Sequence, residues 1–480
     1  MSEKVSERAS ETELATPSDL VRQLESLLGE KGIYYGERLK ERRFPGATVI
    51  GTDGGSFEPL ALVRPTSTEE VSAILKLCHE ADQPVVPHGG LTGLVEGTTS
   101  NNKEIAISLE RMNKVEELDT QSRTITVQAG VPLQIVQEAA EKADMFFPLD
   151  IGARGTATIG GNVSTNAGGN RVIRYGMMRD QVLGMEVVLA DGTIVSSMNK
   201  IIKNNTGYDI KQWFIGAEGT LGIVTRLVLR IRPRPISQEM AFVAVNDFTQ
   251  VTEFLNHVDR TLGGTLSAFE VLWNNYYKLV TSPPAESAPP LSQDYNYYIL
   301  VEALGGNLEG DSERFLDVLS KSLEDGIIVD AVIAQSQSER DAMWAIRDDV
   351  GQVGQIAPIF AFDISVSLDH MESYVEEMQS NLLDTWSDSK CMIFGHLGDG
   401  NLHVIVGIGD GSANAKKAVE KVVYGGLTSR GGSVSAEHGI GLQKRDYLSL
   451  SRSAVEIAMM QSIKKALDPK DIMNPGKIFA

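Results

Sequence analysis

Cysteine is scarce in this 480-residue chain, which contains only Cys78 and Cys391. Two distant thiols in no metal-binding or redox spacing exclude a disulfide framework and fit a reducing compartment. Long apolar runs are also absent, so we expect no transmembrane segment. Residues 1–17 are polar and acidic and lack the apolar stretch of a signal peptide. These absences predict a cytoplasmic protein.

Basic residues are fewer than acidic ones: the chain has 44 Lys and Arg and 64 Asp and Glu, which gives a net charge of -20. This balance argues against nucleic acid and anionic lipid as partners, and it requires a local basic pocket for any anionic substrate. With 42% hydrophobic and 22% charged residues, the composition is that of a globular protein. The length predicts two or three domains.

The usual nucleotide-binding fingerprints are missing as well. No G-x-G-x-x-G joins a strand to a helix and no P-loop lysine is present, so a Rossmann dinucleotide site and an NTPase are unsupported. Glycine instead concentrates in residues 88–93 and 159–169. One glycine pair would only permit a tight turn, but two dense clusters leave many backbone N–H groups open to a pyrophosphate. The pattern therefore favours a phosphate-bearing cofactor.

The first half of the chain has mixed helix and strand signals. Ser67 to Glu70 forms a capping box that predicts a helix through Ala81, followed by an extended segment at 84–87. Pro233 and Pro235 cannot continue a central strand, so we place a domain boundary after residue 235. Further predictions are strands at 104–109 and 124–129 and a hairpin of 185–190 with 193–196 around Asp191 and Gly192.

Residues 236–435 repeat a strand-then-helix rhythm, which predicts an antiparallel sheet with helices on one face. A last helix, Ala454 to Leu467, belongs to a C-terminal segment of residues 436–480. The predicted strand and helix pairs are 240–245 with 249–262, 297–303 with 311–323, 327–334 with 338–350, and 360–367 with 371–383.

Two short motifs near the C-terminus concentrate histidine and acid. His396, His403 and Glu437 form a two-nitrogen, one-oxygen set that leaves open positions on a divalent metal, as a catalytic site requires. His438 remains as a general base, because an unperturbed imidazole titrates near working pH. The alternative is that these are hydrogen-bonded histidines in surface turns, but their clustering favours a metal site. Zinc or manganese is the favoured ion, although iron and cobalt suit the same ligands.

Several motifs, in their order along the chain, resemble the FAD-binding domain of the vanillyl-alcohol oxidase superfamily. They are Pro87 to Leu94, Pro148 to Thr156, Gly160 to Gly169, Arg174 to Gly176, Asn204 to Asp209 and Phe214 to Gly222. Together with the histidine motifs and the closing Asn474 to Lys477, the pattern is similar to FAD-dependent D-2-hydroxy-acid dehydrogenases, which act on D-lactate, glycolate or D-2-hydroxyglutarate. The resemblance extends from about residue 45 to the C-terminus.

The resemblance implies an α+β fold. An N-terminal region and FAD-binding domain would occupy residues 1–235, and an α+β substrate domain with an antiparallel sheet would occupy 236–435. A small helical C-terminal segment, 436–480, would complete both sites. The flavin should be noncovalent, because Leu91 stands where some members of the superfamily carry an attachment histidine. The implied FAD-binding residues are Pro87, Gly89, Gly90, Leu91, Thr92, Gly93, Leu94, Pro148, Leu149, Gly160, Gly161, Asn162, Thr165, Asn166, Gly168, Gly169, Tyr175, Glu218, Gly219, Ile223 and Asn474.

The resemblance also implies an activity, the oxidation of a D-2-hydroxy acid to the 2-oxo acid with FAD and a divalent metal. Arg347 and Asn401 match substrate-binding positions, and an arginine suits bidentate binding of a carboxylate. Gly351 and Ala361 replace a threonine and a lysine that help to bind the distal carboxylate of D-2-hydroxyglutarate in members specific for it. We therefore expect D-lactate to be preferred, with D-2-hydroxyglutarate as the alternative substrate.

Two other functions stay open. An aromatic or phenolic alcohol oxidase of the same superfamily would need no metal set, and a flavin-binding subunit of a glycolate-oxidase-like complex would need neither His438 nor Arg347. The electron acceptor is left open between a quinone, an electron-transfer flavoprotein and oxygen. A homodimer is the default assembly.

Overall fold

The computed structural model describes residues 18–42 and 57–480. Residues 1–17, on which the argument against a signal peptide depends, lie outside this part of the chain. In the described ranges, no helix is both long and apolar enough to cross a bilayer.

The N-terminal half contains short helices and short strands. Its helices are α1 (Asp19–Leu28), α2 (Glu37–Lys40), α3 (Thr68–Glu80), α4 (Leu133–Lys142), α5 (Ile159–Ser164), α6 (Val172–Tyr175), α7 (Met178–Gln181) and α8 (Lys211–Phe214). Its strands are β1 (Ile33–Tyr35), β2 (Ala61–Val63), β3 (Val85–His88), β4 (Ile105–Ser108), β5 (Val115–Asp119), β6 (Thr124–Gln128), β7 (Met145–Phe146), β8 (Val182–Val188), β9 (Ile194–Ser197), β10 (Ile223–Arg230) and β11 (Arg232–Pro233).

The rest of the chain contains longer helices around one large sheet. Its helices are α9 (Phe248–Thr261), α10 (Asn274–Thr281), α11 (Leu308–Glu324), α12 (Gln337–Asp348), α13 (Leu368–Thr385), α14 (Ala413–Val423) and α15 (Ala454–Leu467). Its strands are β12 (Ser237–Val245), β13 (Leu266–Trp273), β14 (Tyr297–Gly305), β15 (Asp330–Ile333), β16 (Ile359–Ser365), β17 (Lys390–His396) and β18 (Asn401–Gly407). Short 3₁₀ helices span Glu30–Gly32, Val350–Ile356, Leu397–Asp399, Thr428–Arg430 and Arg445–Leu450.

Two sheets with a shared core build the N-terminal half. Among the described strands, β1-β2-β4-β3 form one sheet in that order, and β5-β6-β10-β8-β9 form an antiparallel second sheet. The helix predicted after Ser67 is confirmed as α3, because the Ser67 hydroxyl accepts the backbone N–H of Glu70 at 3.2 Å. The predicted hairpin is also confirmed, since Val188 of β8 pairs with Ile194 of β9.

One antiparallel sheet dominates residues 237–407. In the part of the chain that the structure describes, its strand order is β15-β12-β14-β13-β17-β18-β16. The predicted antiparallel sheet is confirmed, but the prediction of helices on one face is wrong. Helices α9, α11, α13 and α14 pack on one face, while α10 and α12 pack on the other. Phe242 and Val243 of β12 accordingly belong to different cores, because a sheet covered on both faces buries successive side chains.

Polar residues lie in a row on the sheet face that α10 and α12 cover. Every second side chain of a strand points to the same face. Leu272, Phe394 and Ile405 belong to the core on the α10 and α12 side, so the polar residues two positions away along the same strands also point to that side. The register places Glu270 opposite His396 and Asp363 opposite His403. The row comprises Glu302 of β14, Glu270 of β13, His396 of β17, His403 of β18 and Asp363 of β16.

The C-terminal residues return to the N-terminal half. Val85 of β3 donates its N–H to the carbonyl of Ile472 and accepts the N–H of Asn474, each at 2.8 Å. Ile472 and Met473 are buried in the N-terminal core. Residues 472–474 therefore stabilise the same unit as β3, whereas the domain boundaries after residues 235 and 435 stay predictions.

A buried ion pair joins the two halves. Arg171 places Nε 3.0 Å from Glu302 Oε2 and Nη1 2.5 Å from Asp150 Oδ2. Ser267 and Trp344 donate further hydrogen bonds to Glu302. Burial acts to raise the pKa of Glu302, but the charge of Arg171 and the hydrogen bonds from Arg171 and Ser267 outweigh it, and the pKa lies below its usual value. The pair holds the glycine-rich segment before α6 against the sheet.

Replacing Glu302 with Gln removes the charge that faces Arg171. We expect the free energy of unfolding at pH 7 to fall by about 3 kcal/mol, because the guanidinium stays buried with Asp150 as its remaining acid. The loss should shrink as the pH falls through the lowered pKa of Glu302, where the native carboxylate also becomes neutral. Urea unfolding of the flavin-loaded protein measures both effects.

Glu116→Gln is the matched control for this substitution. Its partner Arg226 is about one-third exposed, so the loss should stay below about 1 kcal/mol. Equal losses in the two variants would contradict the role assigned to Glu302.

Candidate active site

A cavity of about 700 Å³ opens between the N-terminal half and the polar row of the sheet. Both glycine clusters line it, and so do Arg347, His396, His403, Glu437 and His438. The structure therefore brings the predicted metal set, base and carboxylate-binding arginine to one cavity with the predicted cofactor segments.

Most of the predicted FAD-binding residues line this cavity. Those that line it are Pro87, Gly89, Gly90, Leu91, Thr92, Gly93, Leu94, Gly160, Gly161, Asn162, Thr165, Gly168, Gly169, Glu218, Gly219 and Ile223. Those outside the lining are Pro148, Leu149, Asn166, Tyr175 and Asn474. Leu149 is buried in the N-terminal core, and the Asn166 side-chain oxygen accepts the N–H of Arg179 at 2.9 Å. Flavin contacts of this second set stay predictions.

The glycine segments pack so closely against neighbouring residues that larger side chains would not fit. A Cβ on Gly90 would lie 2.1 Å from the carbonyl oxygen of Thr156, and one on Gly160 would lie 2.7 Å from the Cβ of Ala129. The buried side-chain amide nitrogen of Asn162, Nδ2, has no hydrogen-bond partner among the described residues. Close backbone approach together with an unpaired donor suits the pyrophosphate of a dinucleotide. The residues present therefore fit FAD.

Glu218 connects the cavity to the C-terminal segment. Its carboxylate accepts the N–H groups of Ile440 and Gly441 at 2.7 and 2.8 Å, and its carbonyl accepts the Asn474 side-chain amide at 2.8 Å. Burial raises the pKa of Glu218, although these two backbone hydrogen bonds act against the rise. Gly439 is required here, because a Cβ would lie 2.8 Å from the Glu218 carboxylate.

His396, His403 and Glu437 lie close enough to share a metal ion. Each offers one ligand atom, and these atoms lie within 4.8 Å of one another. His396 Nε2 is 3.9 Å from Glu437 Oε1, and the ring centres of the two histidines are 5.2 Å apart. A Cβ on Gly168 would lie 2.6 Å from Glu437 Oε1, so the second glycine cluster reaches the same point. The donor set fits a divalent ion with open positions.

Asp363, His403 and His438 form a second group with ligand atoms within 4.8 Å of one another. Asp363 Oδ2 already accepts three backbone N–H groups, those of residues 436–438, and lies 3.9 Å from Lys444 Nζ. Burial acts to raise the pKa of Asp363, but the charges of His438, Lys444 and His403 outweigh it, so the pKa lies below its usual range. The Lys444 ammonium beside Asp363 disfavours a metal ion at this second group. Asp363 instead supports the segment that carries Glu437, through the three backbone N–H groups that it accepts.

Glu270 is a site residue that the sequence reasoning missed. Its Oε1 lies 2.6 Å from His396 Nδ1, and its Oε2 accepts Arg347 Nε–H at 2.9 Å. Burial acts to raise the pKa of Glu270, but the charges of His396 and Arg347 lower it to about 2. Burial likewise acts to lower the pKa of His396, which the Glu270 charge nevertheless raises to about 9. The available signal was a lone acid inside the largely apolar strand Leu266–Trp273.

The two predicted substrate-binding residues have different positions. Arg347, near the end of α12, lines the cavity and is held by Glu270. Asn401 is buried at the start of β18 and is not part of the cavity lining. Neither the side-chain nitrogen nor the side-chain oxygen of Asn401 has a hydrogen-bond partner in the described ranges. A substrate contact by Asn401 stays a prediction.

His438 follows Glu437 along the cavity wall. Its Nδ1 is 3.8 Å from Asp363 Oδ2, and its ring is nearly parallel to that of His403, with centres 6.3 Å apart. Burial lowers the pKa of His438 below its usual value, although Asp363 acts in the opposite direction. The side chain is thus placed at the cavity in a form that can accept a proton.

Two protein families match successive parts of the chain. Residues 59–197 match the family described as "FAD binding domain". Residues 234–478 match "FAD linked oxidases, C-terminal domain", which covers the sheet, the polar row and the C-terminal segment.

Related proteins match over most of their length. The chain is 39% identical to the mitochondrial D-2-hydroxyglutarate dehydrogenase of Arabidopsis thaliana, over 87% of this chain and 74% of that protein. It is 38% identical to the D-2-hydroxyglutarate dehydrogenase of Xanthomonas citri pv. viticola, over 88% of this chain and 89% of that protein. A solved structure of alkyldihydroxyacetonephosphate synthase shares the fold, with a TM-score of 0.75 and 18% identity over 95% of this chain and 85% of that one.

Gly90→Ala tests the cofactor cradle. The added Cβ would collide with the Thr156 carbonyl, so we expect the flavin content of the purified protein to fall at least about tenfold. The ratio of flavin to protein absorbance measures it. Gly306→Ala is the control, because nothing lies within 4 Å of its added Cβ and Gly306 is outside the cavity lining. Full flavin content in Gly90→Ala would contradict the placement of the cofactor.

Proposed function

We propose that the chain, which belongs to the FAD-dependent D-2-hydroxy-acid dehydrogenases of the vanillyl-alcohol oxidase superfamily, pairs FAD with a divalent metal and, because of the charges in its cavity, prefers a small substrate such as D-lactate. The observation that carries the proposal is the common cavity wall of His396, His403, Glu437, Arg347 and His438. Each part of the proposed reaction corresponds to one of these side chains.

Different residues of the cavity wall would hold the two cofactors. Residues 87–94 and 160–169 would hold FAD, and His396, His403 and Glu437 would hold the metal. When bound, FAD would supply a two-electron acceptor for the hydride from C2 of the substrate, and the metal would supply Lewis acidity toward the substrate hydroxyl. The protein must then bind the substrate carboxylate, orient C2 and take up the hydroxyl proton.

Arg347 would bind the substrate carboxylate. Its Nη2 lies 3.1 Å from His396 Nε2, so an acid bound by this guanidinium is held beside the metal ligands. The ring of Phe394 lies under the guanidinium, 5.4 Å from its central carbon, and supports its position. This arrangement would hold the carboxylate end of the substrate beside the metal ligands and leave C2 exposed to the rest of the cavity.

His438 would accept the hydroxyl proton. It lies next in sequence to Glu437 and opens to the same cavity. Because Nδ1 faces the Asp363 carboxylate at 3.8 Å, Nε2 is the nitrogen left to act as the base.

The preference for a small substrate rests on the charges of the cavity. Arg347 is the only arginine or lysine among the described residues of the lining, and it is already paired with Glu270. Gly351 and Ala361 offer no polar side chain at the positions that resemblance assigns to distal carboxylate binding. A second carboxylate would lose its hydration without gaining a cationic partner.

D-2-hydroxyglutarate is the second candidate substrate. The names of the relatives favour it, because proteins 38% and 39% identical to this chain are D-2-hydroxyglutarate dehydrogenases. The two candidates differ only in the distal group, so one substrate series separates them.

Anaerobic bleaching of the flavin by D- and L-2-hydroxy acids tests the reaction. We expect D-isomers alone to bleach it, D-lactate with the highest rate over Kd, and bleaching to stop after chelation and return with zinc or manganese. A clear preference for D-2-hydroxyglutarate would overturn the small-substrate proposal. Activity that survives complete metal removal would overturn the metal role, and no bleaching by any acid would favour a flavin-binding subunit.

His438→Gln tests the base. We expect kcat to fall by about 10² to 10⁴, with KM, flavin content and metal content little changed, because the side chain acts on the proton alone. Steady-state kinetics with an artificial electron acceptor measure the split. His370→Gln, at a half-exposed histidine of α13, is the control and should retain full activity. A loss confined to KM would contradict the assignment of His438 as base.

A further inference from the structure

Glu270 is the one charged residue of the largely apolar strand β13. Its neighbours in β13 are buried, and the Glu270 side chain itself is 1% exposed. Burying a carboxylate is unfavourable unless charged or hydrogen-bonding partners compensate. The partners it has are two residues of the proposed reaction centre, which suggests a role beyond packing.

We propose that Glu270 is a positioning residue that sets the orientation of His396 and Arg347 together, and so couples metal binding to substrate binding. One carboxylate oxygen contacts His396 Nδ1 at 2.6 Å, and the other contacts Arg347 Nε at 2.9 Å. The inference rests on the proposed function, because it takes His396 as a metal ligand and Arg347 as the substrate clamp.

The contact with His396 determines which ring nitrogen can bind a metal. An ionised carboxylate accepts hydrogen bonds and donates none, so Nδ1 must carry the proton of this contact. Nε2 is then the nitrogen that would bind a metal, in place of its present 3.1 Å contact with Arg347 Nη2, and it is also the one that lies 3.9 Å from Glu437 Oε1. A carboxylate in this position commonly fixes the tautomer and ring orientation of a metal-binding histidine.

The contact with Arg347 directs the rest of the guanidinium. With Nε held by Glu270, Nη2 is turned toward His396 and Nη1 toward Asp348, at 3.2 Å. The hydroxyl of Tyr276 donates to the Arg347 carbonyl at 3.2 Å and supports the same turn of α12. Because one carboxylate holds both residues, a change in it should alter metal affinity and substrate affinity together.

Glu270→Gln is the decisive variant. A carboxamide keeps the shape but offers one acceptor and one donor, so it can satisfy His396 or Arg347 and not both. We expect the apparent Kd for zinc, measured on the flavin-loaded protein by competition with a chromogenic chelator, to rise about 10- to 100-fold. We also expect KM for D-lactate at saturating zinc to rise at least about tenfold, because Arg347 loses its fixed orientation.

Glu302→Gln is the matched control. Glu302 is also a fully buried carboxylate on the same face of the sheet, but it pairs with Arg171 and has no contact with the metal set. Its variant should bind zinc as the wild type does. An equal loss of zinc affinity in both variants would overturn the inference, since any lost buried charge would then have the same effect.

Glu270→Asp keeps the test decisive if Glu270→Gln does not fold. Aspartate retains the charge but is one methylene shorter, so it cannot reach both partners, and it should shift the zinc Kd and KM in the same direction. Wild-type values of both constants in either folded variant overturn the inference and leave the proposed metal site intact. If the wild-type protein itself binds no zinc, the proposed metal role fails instead.

Discussion

The site depends on the buried carboxylate of Asp363. Its Oδ2 accepts the N–H groups of three successive residues, 436–438, and so attaches the segment that carries Glu437 to the edge of a sheet on which His396 and His403 already lie. A carboxylate that binds several N–H groups and nearby cations stays ionised, which keeps this attachment firm at neutral pH. The metal set is thus completed by a residue that need not be a ligand.

The cavity also requires that both halves of the chain remain in place. Glu218 binds the backbone of Ile440 and Gly441, and Arg171 binds Glu302. These contacts join the glycine segments to the polar row from two directions. A flavin held by the N-terminal half would therefore face the metal set only because buried polar contacts hold the sheet against that half.

The sequence predicted local structure well where one signal dominated. The cap at Ser67 located α3, and the boundaries of α15 agree with the prediction. The metal set and base were predicted from residue type and spacing, and the structure brings them to one cavity. The helix arrangement was wrong, since apolar residues on both sides of a strand do not reveal which helices cover each face. Glu270 was missed because an isolated acid in an apolar strand gives no periodic signal.

By itself, the sequence determined the chemical groups and their short-range order, which were the glycine clusters, the histidine and acid motifs and the individual helices, because these depend on residue type and on spacing along the chain. The tertiary structure alone decided that Glu270, Arg347 and His396 touch. Residues on β13, α12 and β17 are brought together by strand register and by the packing of α12 on one sheet face, and such contacts depend on the whole core and not on any local pattern.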